Sequence, residues 1–130
     1  MKILCLLQNS WGNRKEILGC ISFIPNPKNH SARVIRNLVG NNYFEFSNTT
    51  VKSSLRANQV LPPDLDHLKK VIEYSEQFDL ILICGKQAKE AILKCNFKLN
   101  VPYLFIPHPA SRNFSKNKRN NIKLKIRRYE

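Results

Sequence analysis

The stretch VPYLFIPHPASRNF, residues 101–114, decides the fold that the sequence predicts. Its apolar run, residues 101–106, is bounded by prolines and predicts a buried strand. The strand stops at Pro107-His108-Pro109, where the two prolines fix φ and hold His108 in a stiff loop. Open α/β sheets bind ligands at the carboxyl ends of their strands, so His108 is the first candidate site residue. The alternative is that Pro-His-Pro only ends a strand.

Apolar runs and amphipathic stretches alternate along the rest of the chain. The other predicted strands are residues 2–7, 43–46 and 79–84. The first predicted helix is residues 32–38, with His30 or Ser31 as its cap. A second predicted helix follows Asp64 or Asp66, and its inward residues are Leu65, Leu68, Val71 and Ile72. The third predicted helix is residues 87–95. Residues 13–30 and 51–63 predict loops, and His67 is expected on a solvated helix face. The alternation predicts an α/β fold, a three-layer open sheet that is mostly parallel and four-stranded, with helices on both faces.

The length of 130 residues predicts one domain, residues 1–130, with a basic C-terminal segment from about residue 113. In this segment Ile122, Leu124 and Ile126 alternate as in a strand, while Ile122 and Ile126 are also spaced as on a helix, so both remain open. No apolar run approaches the ~20 residues of a membrane span. The N-terminus is interpreted as a first strand rather than a signal peptide, and a monomeric cytoplasmic protein is expected.

The cysteine pattern argues against a disulfide framework and against a metal site. Cys5, Cys20, Cys84 and Cys95 form no Cys-x-x-Cys pair, and Cys5 and Cys84 lie in apolar runs. The three histidines have no metal-like spacing either. Buried reduced thiols are therefore expected, with no metal and no cofactor.

The charge distribution favours a polyanionic partner. The chain has 22 Lys and Arg against 9 Asp and Glu, a net charge of +13, and residues 112–130 carry eight basic residues and one acid. A basic surface beside a candidate site indicates a polyanionic partner, most simply nucleic acid. The alternatives are a basic solubility face or a disordered tail. The candidate DNA-binding residues are Ser111, Arg112, Asn113, Lys116, Lys118, Arg119, Lys123, Lys125, Arg127 and Arg128.

Polar residues follow three of the predicted strands. They are Gln8-Asn9-Ser10, Ser47-Asn48-Thr49, and His108 with its loop. The carboxyl ends of parallel strands share one edge of the sheet, so a pocket with carboxamides and a histidine is expected there. An Asn side chain suits the Watson–Crick edge of a base, and a histidine stabilises negative charge on a departing base. Each Asn taken alone is also a common turn or capping residue.

These motifs resemble those of the uracil-DNA glycosylase superfamily. Residues 7–12, Leu-Gln-Asn-Ser-Trp-Gly, resemble its first motif, in which a strand runs into Gly-x-Asn-Pro-Gly. Residues 108–113, His-Pro-Ala-Ser-Arg-Asn, resemble the His-Pro-Ser-Pro-Arg-Asn second motif of the single-strand-selective monofunctional branch. The end of the second strand, Phe46-Ser47-Asn48, resembles the one that carries the pyrimidine-reading Asn. Ser10-Trp11 stands in place of Pro-Gly, and no Asp follows the first strand.

The resemblance implies a uracil-DNA glycosylase-like fold and a monofunctional DNA glycosylase that excises uracil or a modified pyrimidine. Asn9 would position the hydrolytic water and His108 would stabilise the departing base, while Arg112 would fill the space of the flipped nucleotide. Asn48, Gln8 and Phe23 would bind the base. Two other functions stay open, a non-catalytic nucleic-acid-binding protein on the same fold and an enzyme that acts on free nucleotides.

Overall fold

The structure, a computed structural model, describes residues 1–8, 10–11, 19–50, 52–54 and 59–130, and describes only the backbone of residues 10, 11, 53 and 54. The strands are β1 (Lys2–Leu7), β2 (Ser10–Trp11), β3 (Tyr43–Asn48), β4 (Ser53–Ser54), β5 (Leu80–Cys84) and β6 (Tyr103–Ile106). The helices are α1 (His30–Val39), α2 (Leu65–Ser75), α3 (Lys86–Lys94) and α4 (Lys116–Arg127). Strands β1, β3, β5 and β6 alternate with helices α1, α2 and α3 as the sequence predicts. The two-residue strands β2 and β4 were not predicted, and β4 lies within the predicted loop of residues 51–63.

The main sheet has four parallel strands in the order β3-β1-β5-β6. β1 is central and pairs with β3 over its whole length, from Lys2 opposite Tyr43 to Leu7 opposite Asn48. On its other side β1 pairs with β5, and β5 pairs with β6. A second, two-stranded sheet joins β2 and β4. The predicted open four-stranded sheet is confirmed, and all its strands are parallel.

Helices cover both faces of the sheet, as predicted. On one face α1 and α4 pack over alternate strand residues such as Ile3, Cys5 and Leu82. On the other face α2 and α3 pack over Leu4 and Ile83. Because β1 and β5 are covered on both sides, they are continuous apolar runs, which is typical of a buried parallel strand.

One helix start differs from the sequence prediction, and another agrees with it. Asn29, rather than His30 or Ser31, caps α1, because its extended backbone lets the side chain accept a hydrogen bond from the Ala32 N–H at 3.2 Å. Asp64 caps α2, as one of the two predicted alternatives. Gly40 ends α1 at φ 62°, as expected for a glycine after a helix.

The orientation of α2 corrects two predicted positions. Leu65 was expected to face inward, but it is 56% exposed. His67 was expected in solvent, but it is only 4% exposed. With the cap at Asp64, His67 lies in the first turn, four residues before buried Val71, and so points to the same face of the helix.

Strand β6 is less buried than its apolar sequence predicts. It starts at Tyr103 rather than residue 101, and it pairs only with β5, so it is an edge strand. Tyr103 and Phe105 are 44% and 37% exposed and contact each other edge to face. The opposite side of the strand is better covered, with Ile106 buried under α4.

The basic C-terminal segment folds as a helix. Helix α4 begins after Ser115, whose side chain accepts a hydrogen bond from the Lys118 N–H. Ile122 and Ile126 are buried against the α1 face, while Leu124 is exposed. The spacing of four residues between the two isoleucines therefore indicated the correct structure, a helix, whereas their alternation with Leu124 indicated a strand.

A buried carboxylate ties a loop and a helix to the outer strand of the sheet. Glu45 of β3 is 8% exposed and accepts hydrogen bonds from the hydroxyls of Ser22, Tyr43 and Tyr74. Burial alone would raise its pKa, but these bonds and the charge of Lys2 outweigh burial and lower it. The same carboxylate raises the pKa of Tyr43 to about 12. Glu45 therefore remains ionised and its hydroxyl partners remain protonated at neutral pH.

The four cysteines are free thiols. Cys5, Cys84 and Cys95 are buried and Cys20 is exposed. Burial and the neighbouring Cys84 side chain raise the pKa of the Cys5 thiol. Within the described ranges, no helix is both long and apolar enough to cross a membrane.

Substitutions in α4 test whether this helix contributes to the folded core. Ile126→Ala removes a side chain that is 1% exposed and should lower the free energy of unfolding by about 2–5 kcal/mol. Leu124→Ala, at a side chain that is 54% exposed, should change it by less than about 0.5 kcal/mol. Urea denaturation followed by circular dichroism measures both. Equal effects would contradict the packing of α4.

Candidate functional site

The carboxyl ends of the four parallel strands form one edge of the sheet, here called the carboxyl edge. Asn48 is opposite Leu7 at the ends of β3 and β1, and Cys84 is opposite Ile106 at the ends of β5 and β6. Gln8, Thr49, Gly85 and Pro107 are the residues that follow. Asn48 and the backbone that leads to His108 are three strand spacings apart, about 14 Å. The predicted convergence of Gln8, Asn48 and His108 on one edge is therefore present, with Asn48 and His108 at opposite ends of it.

His108 is held by three neighbours. Pro109 is fully buried and anchors the loop. Gly85, at the end of β5, has φ 90° and ψ 167°, a conformation that only glycine adopts readily. A Cβ on Gly85 would lie 3.0 Å from the Cβ of His108, so the absence of a side chain gives the imidazole its place. The Ala110 N–H donates a hydrogen bond to Nδ1 of His108 at 3.0 Å.

These contacts define the protonation state of His108. A nitrogen that accepts a hydrogen bond is not protonated, so the neutral ring carries its proton on Nε2. Burial lowers the pKa of His108, which favours the neutral ring at pH 7. His108 is therefore an oriented, neutral imidazole whose Nε2–H is a hydrogen-bond donor.

At the other end of the edge, β1, β3 and α2 are joined by backbone and hydroxyl hydrogen bonds. Thr49 is buried, and its N–H and hydroxyl both donate to the carbonyl of Gln8, at 3.1 and 2.7 Å. The Asp64 N–H donates to the carbonyl of Thr49 at 2.9 Å. Gln8 and Asn48 are half-buried beside this junction. These hydrogen bonds therefore fix the ends of β1 and β3, where Gln8 and Asn48 lie, to each other and to the start of α2.

His67 is a site residue that the sequence prediction missed. Its imidazole interacts with the backbone carbonyl of Asn48, and its Nε2 is buried without a hydrogen-bond partner among the described residues. Burial lowers the pKa of His67, and Lys70 lowers it further, while the Asn48 carbonyl and Asp64 partly offset this. His67 is therefore a neutral ring that contacts the backbone of Asn48. The sequence signal that could have indicated its burial is the spacing of four residues between His67 and Val71, which places both on the same face of α2.

The loop after His108 is a series of turns that leads into α4. The Ser111 N–H donates to the His108 carbonyl at 2.9 Å, and the Phe114 N–H donates to the Ser111 carbonyl at 3.2 Å. Arg112 and Asn113 are exposed in this loop. The other candidate DNA-binding residues all lie on α4 or at its end: Lys116, Lys118, Arg119, Lys123, Lys125, Arg127 and Arg128.

Phe23 lies beside β3, the outer strand on the side of the sheet away from β6 and His108. It pairs with Phe46 at the outer side of β3, and their rings contact edge to face at 6.0 Å. Phe23 also packs on the α1 face of the core, so its contacts are those of a core residue. Asn9, the candidate water-positioning residue, lies outside the described residues. Within the described part of the chain, no group of three or more His, Cys, Asp and Glu could hold a metal ion.

Gly85→Ala should disturb His108 specifically. Alanine at φ 90° should cost about 1–3 kcal/mol of unfolding free energy. Its Cβ also contacts His108, so the imidazole NMR signals of His108 should shift. Gly40→Ala is the matched control, because φ is 62° there and no atom lies within 4 Å of the added Cβ. A shift of His108 in the control, or none in Gly85→Ala, would contradict the assigned contact.

The two buried imidazoles should make stability depend on pH. The pKa values of His67 and His108 are lowered on folding, so the free energy of unfolding is highest above pH 6.5 and falls as the pH drops through their folded pKa values. His67→Gln should remove the His67 part of this fall. NMR titration of each imidazole, combined with denaturation at several pH values, measures the effect. A His67 pKa at or above 6.5 would contradict its buried, neutral state.

No family model matches the chain, and no curated protein is significantly similar to it in sequence. The resemblance to uracil-DNA glycosylases therefore rests on the motifs around Gln8, Asn48 and His108 alone. Any function of the carboxyl edge must be argued from its own residues and geometry.

Proposed function

We propose that the protein is a uracil-DNA glycosylase-like enzyme, one that flips uracil or a modified pyrimidine out of DNA and hydrolyses its N-glycosidic bond. The observation that carries the proposal is the state of His108, which is aimed by Pro109 and Gly85 and is neutral with its proton on Nε2. Its position at the carboxyl edge is the usual place for a ligand in an open α/β sheet.

The reaction needs a group that stabilises the negative charge that develops on the departing base. Water attacks C1′ of the sugar, the C1′–N1 bond breaks, and its electron pair passes to the pyrimidine, where the charge is carried on O2. A neutral imidazole N–H donates a hydrogen bond to that oxygen and stabilises the charge as it develops. The leaving base then takes up a proton, and an abasic site remains. His108 is the group proposed for this role.

We propose that the base is recognised at the end of the carboxyl edge formed by β1 and β3. Asn48 and Gln8 offer carboxamides that hydrogen-bond the polar edge of a pyrimidine. The network of Thr49 and Asp64 supports them, and a rigid support is what selective recognition requires. Asn9 follows Gln8 directly and is proposed to position the water. Arg112, exposed beside His108, is proposed to enter the space of the flipped nucleotide.

A second candidate function is a non-catalytic nucleic-acid-binding protein on the same fold. The observation that favours it is the charge of α4. The helix and its C-terminal cap, Arg128, together contain seven basic residues and no acidic residue. The replacement of Pro-Gly by Ser10-Trp11 in the first motif also favours it. This candidate requires the basic helix but not His108.

Excision assays separate the two candidates. Abasic-site formation is measured on single- and double-stranded oligonucleotides that carry uracil, hydroxymethyluracil or other modified pyrimidines. Removal of the oxyanion donor in His108→Ala should reduce excision about 10²–10³-fold and leave DNA affinity unchanged. His108→Gln, which retains a donor, should recover part of the activity.

The control variant is His30→Ala, an exposed histidine at the start of α1, and its activity should equal that of the wild type. No excision of any base, together with retained DNA binding, would overturn the enzymatic proposal in favour of the binding protein.

A further inference from the structure

The sheet separates a neutral helix layer from a strongly basic one. Residues 64–98, which include α2 and α3, contain six basic and six acidic residues. On the other face, α1 with its flanks (residues 28–42) and the α4 segment (residues 112–130) together contain eleven basic residues and one acid. A net charge of +10 is therefore concentrated on the α1–α4 face, against zero on the opposite face.

The basic layer is not neutralised from within. Its one acid, Glu130, accepts a hydrogen bond from the Asn42 side chain at 2.7 Å. Lys118 and Arg119 donate to the backbone carbonyls of Asn113 and Phe114, which fixes the side chains without removing their charge. Lys116 lies in the first turn of α4, where the helix dipole disfavours a cation. The position of Lys116 reduces the stability of the helix, and a bound polyanion would offset this effect.

A groove of about 370 Å³ lies between the C-terminal halves of α1 and α4. Its polar lining consists of Asn37, Asn41, Asn42, Lys123, Arg127 and Glu130. Arg33 is four residues before Asn37 on α1, and Lys116 is seven before Lys123 on α4, so both lie one or two turns further along the same sides of the helices. The groove thus has Lys123 and Arg127 on its α4 wall, amides on its α1 wall and Glu130 at its end, while Arg33 and Lys116 lie beyond it along the two helices.

The groove lies at the side of the sheet opposite the carboxyl edge. Helix α1 follows β1, and α4 follows the His108 loop after β6, so both helices start near that edge. Both end at the opposite side of the sheet, where Asn42 contacts the N-terminal amine and Glu130. Helix α4 is about 18 Å long, from 12 residues at a rise of about 1.5 Å each.

We propose that the groove binds the phosphate backbone of single-stranded nucleic acid. The groove of about 370 Å³ lies between two packed helices, so it can receive one phosphate backbone but is too small for a duplex to enter. Asn and Arg side chains that line a narrow cationic groove suit phosphate and sugar oxygens. The exposed side of α4 has only Leu124 as a large apolar residue within the helix, which disfavours insertion into a lipid surface. The proposal deepens the proposed function by giving the path of the strand, but it does not depend on excision.

The test is the salt dependence of binding to a fluorescent single-stranded oligonucleotide without a target base. Contacts from Arg33, Lys116, Lys123 and Arg127 to about four phosphates predict a slope of log K against log salt of about −3. Lys123→Gln with Arg127→Gln should reduce the slope to about −1.5 and weaken binding. Lys69→Gln with Lys98→Gln, from the neutral layer, removes the same charge and should leave the slope unchanged.

Each result discriminates. Equal losses in the two double variants would overturn the groove and leave only a general charge effect. Tighter binding of a duplex of the same length, or binding of anionic vesicles in place of oligonucleotides, would also overturn it. Because binding is measured without a target base, failure of excision leaves this test intact, and failure of this test leaves the role of His108 intact.

Discussion

The structure depends on the parallel pairing of β1 with β3 on one side and β5 on the other. This pairing buries the central strand on both faces and aligns the ends of all strands. Because the strands are parallel, every polar residue that follows one of them arrives at the same edge. Gln8 and Asn48 are adjacent for this reason, and Gly85 lies between them and His108. The carboxyl edge is therefore a consequence of strand pairing rather than of any local motif.

Buried polar groups near the amino ends of the strands and near the carboxyl edge differ in how completely they are hydrogen-bonded. Near the amino end, Glu45 is surrounded by three hydroxyl groups and is stable as a charge. At the carboxyl edge, one nitrogen of His67 has no hydrogen-bond partner among the residues that the structure describes, and Gly85 adopts a conformation restricted to glycine. Unsatisfied and strained groups are tolerated where the surrounding structure holds them, and they cluster at functional sites. The asymmetry agrees with a site at the carboxyl edge.

The distribution of charge gives the two faces of the sheet different roles. The layer of α2 and α3 is neutral, and α2 supports the carboxyl edge through Asp64 and His67. The layer of α1 and α4 is basic, and its groove lies at the C-terminal ends of these helices, away from that edge. The short loop from His108 to Ser115 leads into α4, so this helix connects the proposed site of chemistry with the proposed binding groove.

The sequence by itself determined the four strands of the main sheet, most limits of α1, α2 and α3 and the position of His108, because hydrophobic periodicity, caps and prolines act over a few residues. It also identified Asn48 and Gln8 at strand ends. Only the tertiary structure decided that β6 is an edge strand, that His67 is buried while Leu65 is exposed, and that α4 packs beside α1. These features depend on which strand lacks a neighbour and which helix covers which face. Such contacts join residues far apart in the chain, and no local pattern encodes them.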